Sequence, residues 1–373
     1  MTDFRVTNAR VWHADGGFAP GEIFVRGGRI VPPYAAPDAV DAGGALLCPG
    51  LVDIHTHGRL DGDFCTAAEG KLREMAADYA CHGVTALLPT LASDTPENWK
   101  KALNRLAKSG CEGFVGVHLE GRWLSPEKRG AHALSLLAKP AAGELAEFAA
   151  ASPLPIRKVT FAPELDEGGQ FLAACRVLGA HASVGHTNAD YAGAMAALAG
   201  GADSFTHLFN AMPPLHHRAG GPVAAALTTG AYAELICDGL HVAPEVVRLI
   251  YAAKGSEKLI LISDSMEGTG CPDGEYAIAG EPAVLKDGVA RTPSGALAGS
   301  TLNLLQGVQN LAAFCGIPFG KALISATVTP AKSLGLEADF GTLNPGVAAN
   351  FFLLESETAK LPKEVFCRGE KLV

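Results

Sequence analysis

Between residues 50 and 330 one unit recurs: a short β-branched or otherwise apolar run that ends in polar residues, then an Ala- and Leu-rich segment with helical spacing. The runs are Gly50–His55, Thr85–Thr90, Phe114–Glu120, Lys158–Glu164, Ala182–His186, Ser204–His207, Ala233–Asp238 and Leu259–Asp264. Helical spacing marks Thr66–His82, Pro96–Lys108, Ala189–Gly200 and Pro244–Ala253. Eight strands alternating with helices predict an α/β fold, a (β/α)8 TIM-like barrel, with a doubly wound open sheet as the alternative. The length of 373 residues suits a barrel of about 250 with a small addition. The flanks, residues 1–49 and 331–373, read as short strands and turns, among them EIFVRGGRIV and GVAANFFLLE. Neither has the apolar residues for a core of its own, so the two are expected to pair into one small β-sandwich domain built from both chain ends, with the barrel occupying 50–330.

Composition narrows the partners. A net charge of −9 offers no basic footprint for a nucleic-acid backbone or an anionic membrane. Apolar residues at 48% and charged ones at 18% supply a large core and exclude disorder. The start, MTDFRVTNARVWHADGG, lacks a charged flank leading into an apolar stretch, and no apolar run reaches the ~18 residues that span a bilayer. The nine cysteines are scattered and contain no Cys-x-x-Cys pair, which fits reduced thiols in a cytoplasm.

The chemistry gathers at the strand ends, the rim where a barrel of this kind aims side chains at one centre. His55 and His57, in LVDIHTHG, share a face of an extended segment and can hold one metal ion; a packing pair is the plain alternative. Glu120 in HLEG is a carboxylate after an apolar run, costly to bury unless a cation or a rim Arg or Lys accompanies it. His186 in VGHTNA and His207 in FTHLFNAM close the fifth and sixth runs; each alone reads as well as a core histidine. Asp264 in ISDSM closes the eighth, where a helix N-cap is the alternative. Separate structural roles do not explain why all of them fall at strand ends. Imidazole and carboxylate suit zinc or another divalent first-row metal, and open coordination positions mark a catalytic site.

In their order HTH, LEG, GHT, THLFNAM, ICDGLH and ISDSM, the motifs resemble the amidohydrolase superfamily and, within it, the N-acetylglucosamine-6-phosphate deacetylase family, over nearly the whole chain. The family's composite β domain matches the flanks. The resemblance implies that Glu120, His186 and His207 hold a metal, zinc or else iron, manganese, cobalt or nickel. His55 and His57 serve a second ion with Glu120 bridging, giving one or two ions per chain. It implies a hydrolysis of an acetamide in which Asp264 takes a proton from the attacking water and returns it to the departing nitrogen, while His132 in KRGAH donates to the oxyanion. Asn210, Ala211 and His241 match contacts to the sugar phosphate. Arg218 in HHRAG matches an arginine that reaches into the neighbouring subunit's site of a homodimer. On residues alone, His132 is an ordinary loop histidine and Arg218 a solvated loop cation. Leu297–Leu302 (LAGSTL) either closes over the sugar or is a tight turn.

Two positions depart from the family pattern. Arg122 follows LEG where proline is usual, adding a cation near the rim or changing the loop, and Asn350 stands in GVAAN where Asp is usual, which bears on stability more than on chemistry. Asp53 and Asp238 are either partners of site residues or caps, and His216 and His217 carry no assigned role. Rival functions are the same chemistry on the galactosamine epimer, another amidohydrolase acting on cyclic amides or nucleobases, and a non-catalytic sugar-phosphate-binding scaffold. Retention of Asp264 argues against the last.

Overall fold

The computed structural model describes residues 3–373. Each of the eight expected runs contains a strand. In chain order they are Leu51–Thr56, Val84–Leu91, Val117–Glu120, Ile156–Phe161, His181–Val184, Ser204–Phe205, Tyr232–Ile236 and Leu259–Ile262, and they pair in parallel with their sequence neighbours. The first and eighth strands meet through two further hydrogen bonds. Asp264 N–H donates to the His55 carbonyl (2.9 Å), and Ser263 N–H to Asp53 Oδ1 (3.3 Å). Asp53 Oδ1 also accepts the His55 N–H (3.3 Å), so this carboxylate joins the ends of the sheet through the backbone of a site residue.

Helices between the strands follow the sequence signals. In Pro96–Lys108 the Thr95 hydroxyl accepts the Asn98 N–H, proline occupies the first turn, and Trp99, Ala102, Leu103 and Leu106 form the buried stripe. Burying each of its larger side chains contributes roughly 1.5–3 kcal/mol. The segment expected over Pro244–Ala253 extends to Lys258 across a break at Gly255 (φ 58°), and that expected from Thr66 begins at Glu69.

Part of the lumen is polar, a consequence of what the strands point inward. Lys158 on the fourth strand lies 3.0 Å from Glu234 on the seventh, and the hydroxyls of Thr160 on the fourth and Thr206, just past the sixth, meet at 2.8 Å. Contacts between strands that are not neighbours must cross the barrel interior. Elsewhere the interior is apolar: Val52 and Ile54 of the first strand cluster with Ala86, Leu88, Ile236, Ile260 and Ile262 of other strands and with Ala331, Leu334 and Phe340.

The chain ends join as expected. Phe351–Leu354 pairs antiparallel with Leu46–Pro49, and the sheet continues through Phe4–Trp12, Phe18–Arg26 and Arg29–Val31 on one side and Glu364–Cys367 on the other. Asn350 is buried at this seam; its Nδ2 donates to the Asp339 carbonyl (3.1 Å) and its Oδ1 accepts the Arg368 N–H (2.8 Å). It therefore serves the sheet, as expected of it.

Two small sheets were not anticipated: Gly58–Arg59 with Gly62–Asp63 after the first strand, and an antiparallel sheet of Gly274–Ile278, Glu281–Lys286 and Val289–Arg291, inserted after the eighth. The signal of the second was present in Asp287-Gly288, both at positive φ, a two-residue hairpin turn between alternating apolar residues. Among the described residues no helix is long and apolar enough to cross a membrane.

Candidate active site

Glu120, the last residue of the third strand, divides its two oxygens between two groups of imidazoles. Oε2 lies 2.9 Å from His57 Nε2 and 3.1 Å from His55 Nε2, while Oε1 lies 2.9 Å from His207 Nε2 and 3.3 Å from His186 Nε2. Asp264 Oδ1 completes the first group at 3.3 Å from His57 and 3.4 Å from His55. All of these residues are buried.

Local backbone geometry aims them. His186, His207 and Asp264 each follow a strand and sit at positive φ, 45°, 28° and 49°. Such conformations cost non-glycine residues about 1–3 kcal/mol each and cluster where function requires a particular aim. His55 and His57, one residue apart on a common face, need no such turn.

The electrostatics are those of a compact anion–imidazole cluster. Burial pushes the Glu120 carboxyl up, but the imidazoles of His55, His186 and His207 outweigh it and hold the group well below the usual carboxylate range. Asp264 is likewise pushed up by burial and brought below its ordinary value by His55 and His57. His132 goes the other way: burial and the neighbouring His186 keep its ring neutral. Its Nδ1 accepts from Ser93, whose N–H lies 3.3 Å and hydroxyl 2.8 Å away. A backbone N–H can only donate, so the His132 proton sits on Nε2, which lies 3.9 Å from Glu120 Oε2.

These residues fit a metal ion. Donor atoms of His55, His57, Glu120 and Asp264 lie within 4.8 Å of one another, as do those of Glu120, His132 and His186. His55 Nε2 is buried and, among the described residues, makes no hydrogen bond despite the two carboxylates beside it. Imidazole nitrogens and carboxylate oxygens are the donor set expected for a divalent first-row cation.

A cavity of about 270 Å³ opens over the cluster. It is lined by the expected His132, Asn210, Ala211, His241 and Leu297, together with Ile278 and Ala279 from the inserted sheet. Ala279, at φ 52°, forms the tip of the first hairpin, and its carbonyl accepts the Ala133 N–H at 3.3 Å. The His241 Nδ1–H donates to Asp238 Oδ2 (2.7 Å), so Asp238 orients a histidine that faces the cavity.

Three positions are described more closely by the structure. Arg218, expected in the neighbouring subunit's site, does not line this chain's own cavity; it is exposed on Pro214–Ala219 beside the exposed His216 and His217 rings, which meet at a tilt. Arg122 is not a free rim cation, because its guanidinium pairs with Glu144 (2.8 Å) and donates to the Asp94 carbonyl. The LAGSTL segment has Leu297 and Gly299 in the cavity wall, while Ser300 N–H donates to the Asp264 carbonyl (2.7 Å) and steadies that residue.

Sequence reasoning missed Ser93, Lys158 and Glu234. Ser93 lies in an unremarkable loop after the second strand, and its one signal is distal: a Cβ on Gly121 of LEG would come within 2.5 Å of Ser93 N, so only glycine permits that approach.

Similar proteins agree with this geometry. The amidohydrolase family matches residues 46–372. The N-acetylglucosamine-6-phosphate deacetylase of Vibrio furnissii is 36% identical over 326 residues, covering 86% of this chain and 82% of that one. The N-acetylgalactosamine-6-phosphate deacetylase of Escherichia coli O157:H7 is 35% identical over 317 residues, covering 83% and 84%. A mutant N-acetyl-D-glucosamine-6-phosphate deacetylase of Mycobacterium smegmatis, solved in complex with N-acetyl-D-glucosamine-6-phosphate, is 34% identical and superposes over 100% of both chains with a TM-score of 0.92.

Proposed function

The chain belongs to the amidohydrolase family, and from that membership we propose that it is a metal-dependent deacetylase converting N-acetylglucosamine 6-phosphate and water to glucosamine 6-phosphate and acetate. The observation that carries the reading is the placement of Glu120, with one oxygen toward His55 and His57 and the other toward His186 and His207, beneath a cavity walled by a neutral His132.

Glu120, His186 and His207 would hold one divalent ion, and His55 and His57 a second that shares Glu120; zinc is the proposed metal. When bound, such an ion supplies Lewis acidity that polarises the amide carbonyl and acidifies water. Asp264 takes the proton of the attacking water as the new C–O bond forms. It then delivers that proton to the amine nitrogen as the C–N bond breaks, so one carboxylate serves as base and acid in turn. The Nε2–H of His132 donates to the oxygen on which negative charge develops. Asn210, Ala211 and His241 bind the sugar phosphate from the cavity wall. The exposed Arg218 reaches the neighbouring site of a homodimer, supplying the local cation that an anionic substrate needs on an acidic protein.

Residues 50–330 form the catalytic barrel domain, and 1–49 with 331–373 the composite β domain. The nine free cysteines support a reducing compartment, the cytoplasm.

The galactosamine epimer is the second reading, supported by the E. coli relative. Acetate release from N-acetylglucosamine 6-phosphate, its unphosphorylated form and the galacto epimer decides among them. The gluco phosphate is expected to give the highest kcat/KM; a faster galacto epimer would transfer the assignment to it. Equal rates with and without phosphate would remove the roles given to Arg218 and His241.

A further inference from the structure

We propose that Glu234, braced by Lys158, is a positioning residue that fixes the His55 proton on Nδ1 and so presents Nε2 to the ion shared with Glu120. The inference rests on the reading that His55 and His57 hold a second ion.

Glu234 and Lys158 face the lumen at 0% and 1% exposure. Withdrawing two charges from water costs several kcal/mol per ion, and an apolar pair of equal volume often stabilises as well. A buried pair here is therefore best read through what it touches. Glu234 Oε2 lies 3.1 Å from His55 Nδ1 and also accepts the His207 N–H (3.3 Å). Oε1 lies 3.0 Å from Lys158 Nζ, which donates to Ser204 Oγ (3.1 Å). The seventh strand is thereby tied across the lumen to the first, fourth and sixth.

An ionised carboxylate only accepts, so the atom facing it on His55 carries the proton. The opposite nitrogen is then a lone pair, and it is the one beside Glu120 and Asp264. His118 packs edge-on against the His55 ring at 4.6 Å and is itself bonded to Thr90 and Thr160, so the ring cannot swing freely. His57 has no such partner: its Nδ1 is buried without a hydrogen bond among the described residues. Of the pair, His55 alone is prepared in this way. Groups that orient a metal-binding histidine typically change affinity 10- to 100-fold.

The test begins with the wild-type protein loaded with zinc. Nitrogen-15 NMR of the imidazoles is expected to show the His55 proton on Nδ1; a proton on Nε2 overturns the proposal without any variant. Two double variants follow. Lys158→Met with Glu234→Gln removes both charges and keeps an acceptor for Nδ1–H, whereas Lys158→Met with Glu234→Leu keeps none. Zinc titration is expected to show the second ion retained by the Gln pair and bound about 10- to 100-fold more weakly by the Leu pair, with the first ion unchanged in both. Equal second-ion affinity in the two pairs overturns the proposal while leaving the two-ion reading intact. A wild type that binds one zinc, untouched by His55→Ala, overturns the two-ion reading itself and this proposal with it.

Discussion

His186 Nε2 and His207 Nε2 lie 3.0 Å apart at the ends of the fifth and sixth strands. His186 Nδ1 donates to the Lys128 carbonyl (2.8 Å), which turns Nε2 toward its neighbour. Two ring nitrogens at this distance require a proton or a cation between them. Chelation is therefore expected to abolish acetate release and lower Tm, and zinc at 100 times its Kd should restore about 2.7 kcal/mol of stability. A Tm indifferent to chelator and zinc would contradict the site.

Asp264 is held by its own backbone, with its N–H on the His55 carbonyl and its carbonyl accepting from Ser300. Asp264→Asn should therefore keep the geometry while losing the proton carrier. Turnover is expected to fall by ~10³-fold with substrate affinity retained. Near-normal kcat would place the base elsewhere.

Gly121 illustrates how a motif residue acts without touching chemistry. Gly121→Ala would press a methyl against Ser93 N and Cα, at 2.5 and 2.6 Å, displacing the residue that sets the His132 tautomer. Overpacking of this kind costs about 1–3 kcal/mol. Activity should fall by more than the loss of folded protein explains; unchanged kcat in folded protein would detach His132 from Ser93.

Arg218 makes the dimer proposal testable by complementation. Arg218→Ala and Asp264→Asn each impair their own homodimers. A mixed dimer would combine an intact Asp264 on one chain with an intact Arg218 from the other. Mixing the two weak variants after dissociation should restore activity above either alone, and no gain would show that Arg218 does not cross between subunits.

How much could be read from the chain depends on what each residue has to signal. His55, His57, Glu120, His186, His207 and Asp264 stood out because each interrupts or ends an apolar run where solvent-facing residues would be scattered. The barrel itself was legible for the same reason, although the strand expected over Phe114–Glu120 begins at Val117 and pairs in regular register only from His118. Glu234 and Lys158 were hidden: a charge inside AELI or KVTF looks like the solvated face of an edge strand, and only closure of the barrel turns it inward. Arg122 stayed open between a rim cation and a change of loop because its partner, Glu144, lies on a helix 22 residues further on. The inserted sheet fell between recognised units, and its walls, Ile278 and Ala279, carry no chemistry of their own.

The central claim is that the Glu120 carboxylate organises the metal and, through it, the reaction. Metal content and acetate release measured on the same samples of wild type and Glu120→Gln test it most directly. The wild type should hold one or two ions per chain and release acetate and glucosamine 6-phosphate in equal amounts, and the folded variant should lose both metal and turnover. A folded, metal-free Glu120→Gln protein that still releases acetate would contradict the account.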